Sequence, residues 1–232
     1  MCYQSGNLLL QQLPDEELRH LLPYLQLVTL EKDQVVFQQD ERVSFFYFPL
    51  TAVVSCTITL GDGYQTDLAL MDSAGMFPLS IMVDTHSLLG VKVFLPGLAY
   101  RLPVDVLRQE FGRGQGFSKL VMRVVRNMLA QVCLSFACYR RHSTAQILAK
   151  LLLMALEHRP DGELPITHEQ LADVVGVRRE AVTLALKQLE RKGVLQCQRG
   201  KIQVLDRSTL QRQACSCFQV QHNLGMFQRL LV

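Results

Sequence analysis

The chain has 232 residues, 49% hydrophobic and 19% charged, with a formal net charge of +3. This composition excludes a disordered chain, allows one large or two modest domains, and leaves apolar runs such as Ala149–Leu156 far too short to span a bilayer. Seven scattered cysteines make no disulfide framework, and the start MCYQSGNLLLQQLPDEEL lacks the basic region of a secretory signal, so a reducing cytoplasm is the expected compartment.

In chain order, residues 15–25 (DEELRHLLPYL) predict a short amphipathic helix started by Pro14 and Asp15. From Leu27 to Val104 the pattern becomes short β-type runs: Gln34–Gln38, Phe45–Phe48, Ala52–Leu60, Thr66–Met71, Val91–Leu95 and Leu98–Pro103. Gly61-Asp62-Gly63 between two of them is a hairpin signal. So many strands in so little chain predict an antiparallel β-roll of jelly-roll-like type.

A breaker cluster, Gly112-Arg113-Gly114-Gln115-Gly116, precedes a long stretch without Gly or Pro. There Phe117, Leu120, Val121, Val124, Met128 and Val132 recur at helical spacing, the stripe of a helix of about 25 residues. Such a stripe buries itself against its own domain or against a twin. Its small and apolar positions favour a parallel pair, so these six residues are the expected homodimer interface.

A second helical stretch runs from Ser143 to His158, followed by a turn at Arg159–Gly162 and a short strand, Leu164-Pro165-Ile166. Thr167 and Gln170 then form a capping box, opening a helix whose buried face is Leu171, Val174 and Val175. Small Ala172 allows close approach of a neighbour, and Gly176 permits a sharp turn. A further helix, about Arg178 to Lys192, completes a helix-turn-helix, whose second member enters the major groove.

The start of that second helix carries Arg178, Arg179, Glu180 and Thr183 off the apolar stripe. Arginine grips guanine bidentately and glutamate accepts from cytosine, so Arg179 and Glu180 lead as base readers, with Arg178 and Thr183 beside them. Two short strands, Val194–Cys197 and Ile202–Leu205, flank a basic turn containing Arg199 and Lys201, a wing suited to phosphate. Thr167 and His168 are further candidate phosphate contacts. The charge count agrees: residues 140–212 hold 13 Lys/Arg against 8 Asp/Glu, the rest 11 against 13.

Residues 166–195, ITHEQLADVVGVRREAVTLALKQLERKGVL, together with the roll and long helix before them, resemble the Crp/Fnr superfamily of bacterial transcription regulators. The resemblance implies an α+β chain with a sensor β-roll over 1–112, a dimerisation helix over 113–141, a winged helix-turn-helix over 142–213 and a tail over 214–232. It implies a homodimer on double-stranded DNA at an inverted repeat, with RNA polymerase as a further partner and no membrane. Family positions that contact bases fall on Arg179 and Glu180, whereas a third, arginine in the family, is Leu184 here.

The sensor end departs from the family's cyclic-nucleotide signature. Gly75-Met76-Phe77-Pro78-Leu79-Ser80 carries Met76 in place of the ribose-binding glutamate, and Asp84–Leu88 contains no phosphate-binding arginine. A cyclic phosphodiester buried without a cation would be poorly compensated, which argues against cyclic AMP. Gly75, Met76, Phe77, Ser80 and His86 stand as residues of a pocket for an unknown effector.

Cys2 alone near the N-terminus does not support an iron–sulfur cluster, and the lone His86, Cys56 or Cys2 does not support haem. Cys133 and Cys138 read as buried small hydrophobes. Cys215-Ser216-Cys217 resembles half a metal pair without a second half at ligand spacing, so no metal is expected. Phosphate loops, nucleophile elbows and ligand clusters are missing from the pattern, so an enzyme is not expected. The alternative to a DNA reader is a ligand-binding or scaffold protein whose winged helix contacts other proteins.

Overall fold

The polypeptide, described here by a computed structural model over residues 6–79, 86–113 and 115–223, places the expected strands in two antiparallel sheets. One has the order β1 (Gln26–Leu30), β7 (Gly97–Pro103), β3 (Phe45–Pro49). The other runs β2 (Val35–Phe37), β6 (Gly90–Leu95), β4 (Val53–Thr59), β5 (Gln65–Met71). Period-two alternation explains the shared core: Phe46 and Phe48 of one sheet meet Val54, Val91 and Val93 of the other, while Phe45 and Tyr47 stay partly exposed. The β4–β5 turn closes as Leu60 N donates to Tyr64 O, with Gly63 at φ +83°.

The roll is pinned at both ends. Asn7, fully buried, donates from Nδ2 to the carbonyls of Pro49 and Gly75, and its Oδ1 accepts from Leu9 N and Leu10 N. Downstream, α1 (Asp15–Leu21) supplies Glu17, whose two carboxylate oxygens accept from Gly116 N at 3.1 Å and Phe117 N at 2.7 Å. That carboxylate caps α3 (Gln115–Arg141), where orphan amides and the helix dipole both favour an anion. A helix that the pattern did not predict, α2 (Val104–Arg113), lies between β7 and α3. Its Gly112 belongs to the expected breaker cluster, yet a glycine at an exposed last turn costs only about 1 kcal/mol.

The expected dimer stripe on α3 has a different job. Phe117, Leu120, Val121 and Val124 are at most 5% exposed and pack into the core of their own roll, with Met128 partly buried against it. The stripe left open is Met122, Val125, Leu129 and Phe136, at 63%, 40%, 63% and 63% exposure, with Val132 half-buried between. Spacings of three, four, three and four put these five on one coiled-coil seam. Helical periodicity revealed that α3 has an apolar stripe, but α3 has two, and only packing distinguishes them. Over Gly116–Arg141 the helix is also long and apolar enough to cross a membrane by length and composition, contrary to the expectation from short apolar runs.

Beyond α3, α4 (Thr144–Leu156) starts on a Ser143–Gln146 capping box and is buried continuously from Ile147 to Leu156. Around it stand α5 (His168–Val175), α6 (Arg179–Arg191) and α7 (Arg207–Gln213), with a three-stranded sheet of order β8 (Glu163–Leu164), β10 (Lys201–Val204), β9 (Leu195–Gln198). The tail adds α8 (Cys217–Asn223). This second core continues into the roll through Val53, Leu70, Phe94 and Leu95. Polar contacts reinforce the junction: Gln170 Nε2 donates to Asp33 Oδ1 at 2.8 Å, Tyr139 OH to Val174 O at 3.1 Å, and Arg159 Nη2 to Pro96 O at 2.7 Å.

Candidate nucleic-acid interface

The helix-turn-helix forms as its local chemistry dictates. Thr167 Oγ1 accepts from Gln170 N at 3.1 Å while Gln170 Oε1 accepts from Thr167 N at 2.8 Å, the reciprocal capping box at the start of α5. Gly176, at φ +70°, ends α5 in the left-handed conformation, and the Ala172 carbonyl accepts from both Gly176 N and Val177 N. Leu171, Val175, Val182, Leu186 and Leu189 then bury the faces that the two helices share.

What remains outside is the charged start of α6. Arg178, Arg179 and Glu180 are exposed, and Arg179 Nε lies 3.8 Å from Glu169 Oε2, with both side chains about two-thirds exposed (67% and 65%). A pair so solvated contributes little and yields readily to a DNA partner. Thr183 is differently engaged: its hydroxyl donates to Arg179 O at 3.0 Å and meets His168 Nδ1 at 2.9 Å. Burial, then the Arg179 charge, lowers the His168 pKa below the ordinary histidine value. His168 is therefore a neutral brace between α5 and α6 near neutral pH, a role that spacing did not reveal. Thr167 likewise has its hydroxyl committed to the cap.

Leu184 stands 61% exposed on the same face, and Lys187, Gln188 and Arg191 continue the exposed surface toward the helix end. The wing turn has Gly200 at φ +78°, with Arg199 exposed at its tip. Lys201 Nζ is held 2.7 Å from Glu163 Oε2, and Lys32 of the roll donates to Gly200 O at 3.2 Å. Lys32 thus bonds the wing from outside the motif, a contact that no local sequence signal announces.

Between the roll and α3 lies a half-open cavity of about 380 Å³ lined by apolar side chains of both, among them Cys56, Met71, Phe77, Leu89, Met128 and Leu129. Of the four expected pocket residues that lie among the described ones, Phe77 alone lines it. Met76 is fully buried in the roll core, His86 is exposed and pairs its backbone with Arg42 in an isolated antiparallel β-bridge, and Gly75 borders a much smaller recess. Ser80 lies outside the described residues. Among the described lining residues none is cationic. Ser87 supplies a hydroxyl, but it already donates to Leu89 O at 2.6 Å.

The cysteines meet expectation only in part. Cys133 is exposed rather than buried, while Cys138 is buried at the end of α3 beside His142, Cys215 and Cys217. The second half that Cys215 and Cys217 lacked in sequence is brought to them by the fold. Cys138 and Cys215 sulfurs lie 3.6 Å apart, and that contact draws the Cys215 thiol below its ordinary value while it pushes Cys138 up.

Comparison with known proteins agrees with this architecture. Residues 146–213 match the Crp-like helix-turn-helix domain. The chain is 23% identical over 195 residues to the global nitrogen regulator of Nostoc sp., covering 80% of this chain and 87% of that protein. The fold matches FixK2 from Bradyrhizobium japonicum with a TM-score of 0.68 at 18% identity, over 83% of this chain and 98% of that one. A CRP-family transcriptional regulator from Thermus thermophilus matches with a TM-score of 0.68 at 17% identity, over 81% and 96%.

Proposed function

We propose, from the premise that residues 146–213 match the Crp-like helix-turn-helix domain on a fold shared with a Crp/Fnr-family regulator, that the protein is a dimeric transcription regulator reading an inverted-repeat site. The observation that carries this reading is the exposed row Arg178, Arg179, Glu180 at the start of α6, presented beside a basic wing. Arg179 and Glu180 read base edges in the major groove, Arg199 and Lys201 hold phosphate, and Leu184 offers an apolar contact suited to a thymine methyl. Pairing of two α3 seams through Met122, Val125, Leu129 and Phe136 places two such helices on successive grooves, about 34 Å apart.

Its signal acts at the cavity against α3. An apolar ligand fits that lining, whereas the phosphate of a cyclic nucleotide would meet no cationic side chain among the described lining residues. Val125, Leu129 and Val132 line the cavity and also lie on the seam, so a ligand there touches the helix that meets the twin. Differential binding to two arrangements of the paired helices would shift the DNA-binding domains.

Selection from random duplex DNA tests the reading. The expected product is an inverted repeat with half-sites about 10 base pairs apart, and Arg179→Ala loses about 1–3 kcal/mol at one position of each half-site. Unselective, non-palindromic binding refutes it.

A further inference from the structure

We propose that Cys138, His142, Cys215 and Cys217 form a binding site for one thiophilic divalent cation of the zinc class. The four donor atoms all lie within 4.8 Å of one another. They come from two segments 73 residues apart in sequence, counting from His142 to Cys215. His142 directly follows α3, four residues after Cys138, and its N donates to Cys138 O at 3.0 Å, so a last helical turn brings the two side chains to the same side. Cys215 and Cys217 flank Ser216 where α7 gives way to α8.

The spacing suits a single tetrahedral ion. Zinc–sulfur bonds of about 2.3 Å and zinc–nitrogen bonds of about 2.0–2.1 Å set sulfur–sulfur edges near 3.8 Å and sulfur–nitrogen edges near 3.6 Å. Here Cys138 Sγ lies 3.6 Å from Cys215 Sγ, and Cys217 Sγ lies 3.7 Å from His142 Nδ1. Three thiols and one imidazole are a soft donor set, one that selects zinc over calcium or magnesium. Three of the four donors are buried and His142 is half-buried, so the shell is closed as a structural site requires.

A second observation concerns charge. Lys150 of α4 is 3% exposed and makes no ion pair among the described residues, its Nζ lying 5.7 Å from the Tyr139 ring. A buried ammonium needs a compensating anion nearby. A divalent ion with three thiolates and a neutral imidazole carries one net negative charge, and the Lys150 ammonium, held over Tyr139 next to Cys138, supplies the balancing positive charge. The bound site and Lys150 are together neutral. Binding releases the thiol protons to solvent and involves no oxidation.

The site joins the end of α3, which leads into the DNA-binding domain, to the segment following that domain. A cation here fastens the domain at both of its chain ends.

Metal analysis of the full chain, purified under reducing conditions without chelator, is the test. About one zinc per chain is expected, falling to about a tenth or less in Cys215→Ser and Cys217→Ser and unchanged in Cys133→Ala. Cobalt(II) added to metal-stripped wild-type protein reads the site without any variant. The intense visible bands of tetrahedral cobalt thiolate should rise to one equivalent and be displaced by zinc. Absence of both zinc and cobalt bands overturns the proposal. So does a Cys138–Cys215 disulfide with no metal, iron with acid-labile sulfide, or equal metal loss in Cys133→Ala.

Discussion

Replacing Leu129 by glutamate separates the two apolar faces of α3 and tests which of them meets a twin. Leu129 is 63% exposed, so roughly two-thirds of the 1.5–3 kcal/mol for burying a leucine is still available to an interface, about 1–2 kcal/mol per chain. Two copies lose about 2–4 kcal/mol, and two facing, desolvated carboxylates add several more. A total of about 5 kcal/mol or above weakens the dimer by roughly 10⁴-fold. The isolated chain, changed at an exposed position, should keep its stability to within about 0.5 kcal/mol. Val121→Glu supplies the contrast: at 3% exposure inside the roll core, it should unfold the chain rather than dissociate it. Sedimentation equilibrium gives the association constant and thermal melts give the stability. Dimers persisting in Leu129→Glu, or a well-folded monomer from Val121→Glu, would refute the assignment of these faces.

Burial against the DNA-binding domain holds the Asp67 carboxyl up at about 6, with the Asp173 charge acting in the same direction. Because the folded value lies above the unfolded value of about 3.9, its stabilising contribution is complete below that pH and is lost as pH rises through 6. Asp67→Asn should therefore match wild type near pH 4 and exceed it by about 1–2 kcal/mol above pH 7 in urea titrations; a pH-independent difference counts against this. Gly176→Ala meets only Thr66 Oγ1 at 3.9 Å, so its cost is backbone strain alone, about 1–2 kcal/mol in thermal unfolding. Arg199→Ala should weaken DNA binding evenly across sequences and reduce the salt dependence by about one phosphate contact, with the preferred site unchanged. A changed base preference would make Arg199 a reader.

Local grammar reaches far in this chain because much of the fold is locally consistent. The capping box at Thr167, the left-handed Gly176, the wing at Gly200 and the alternation in β3 are short-range events, set by residues within a few positions of one another. They carry the helix-turn-helix and the roll, and they make the charged start of α6 legible in the residue order. Periodicity also finds α3, but it cannot say which stripe faces home. That choice depends on the roll closing over Phe117, Leu120, Val121 and Val124 and leaving Met122, Val125, Leu129 and Phe136 to solvent. The cavity lining is likewise settled by which strand faces turn toward α3. The meeting of Cys138 and His142 with Cys215 and Cys217 crosses an entire domain, so no spacing rule announces it. The elements and the exposed charged start of α6 follow from residue order alone, because they rest on neighbours in the chain. The seam, the cavity and the cysteine cluster belong to the packed molecule, because each is made by side chains that are distant in the chain until the two cores close.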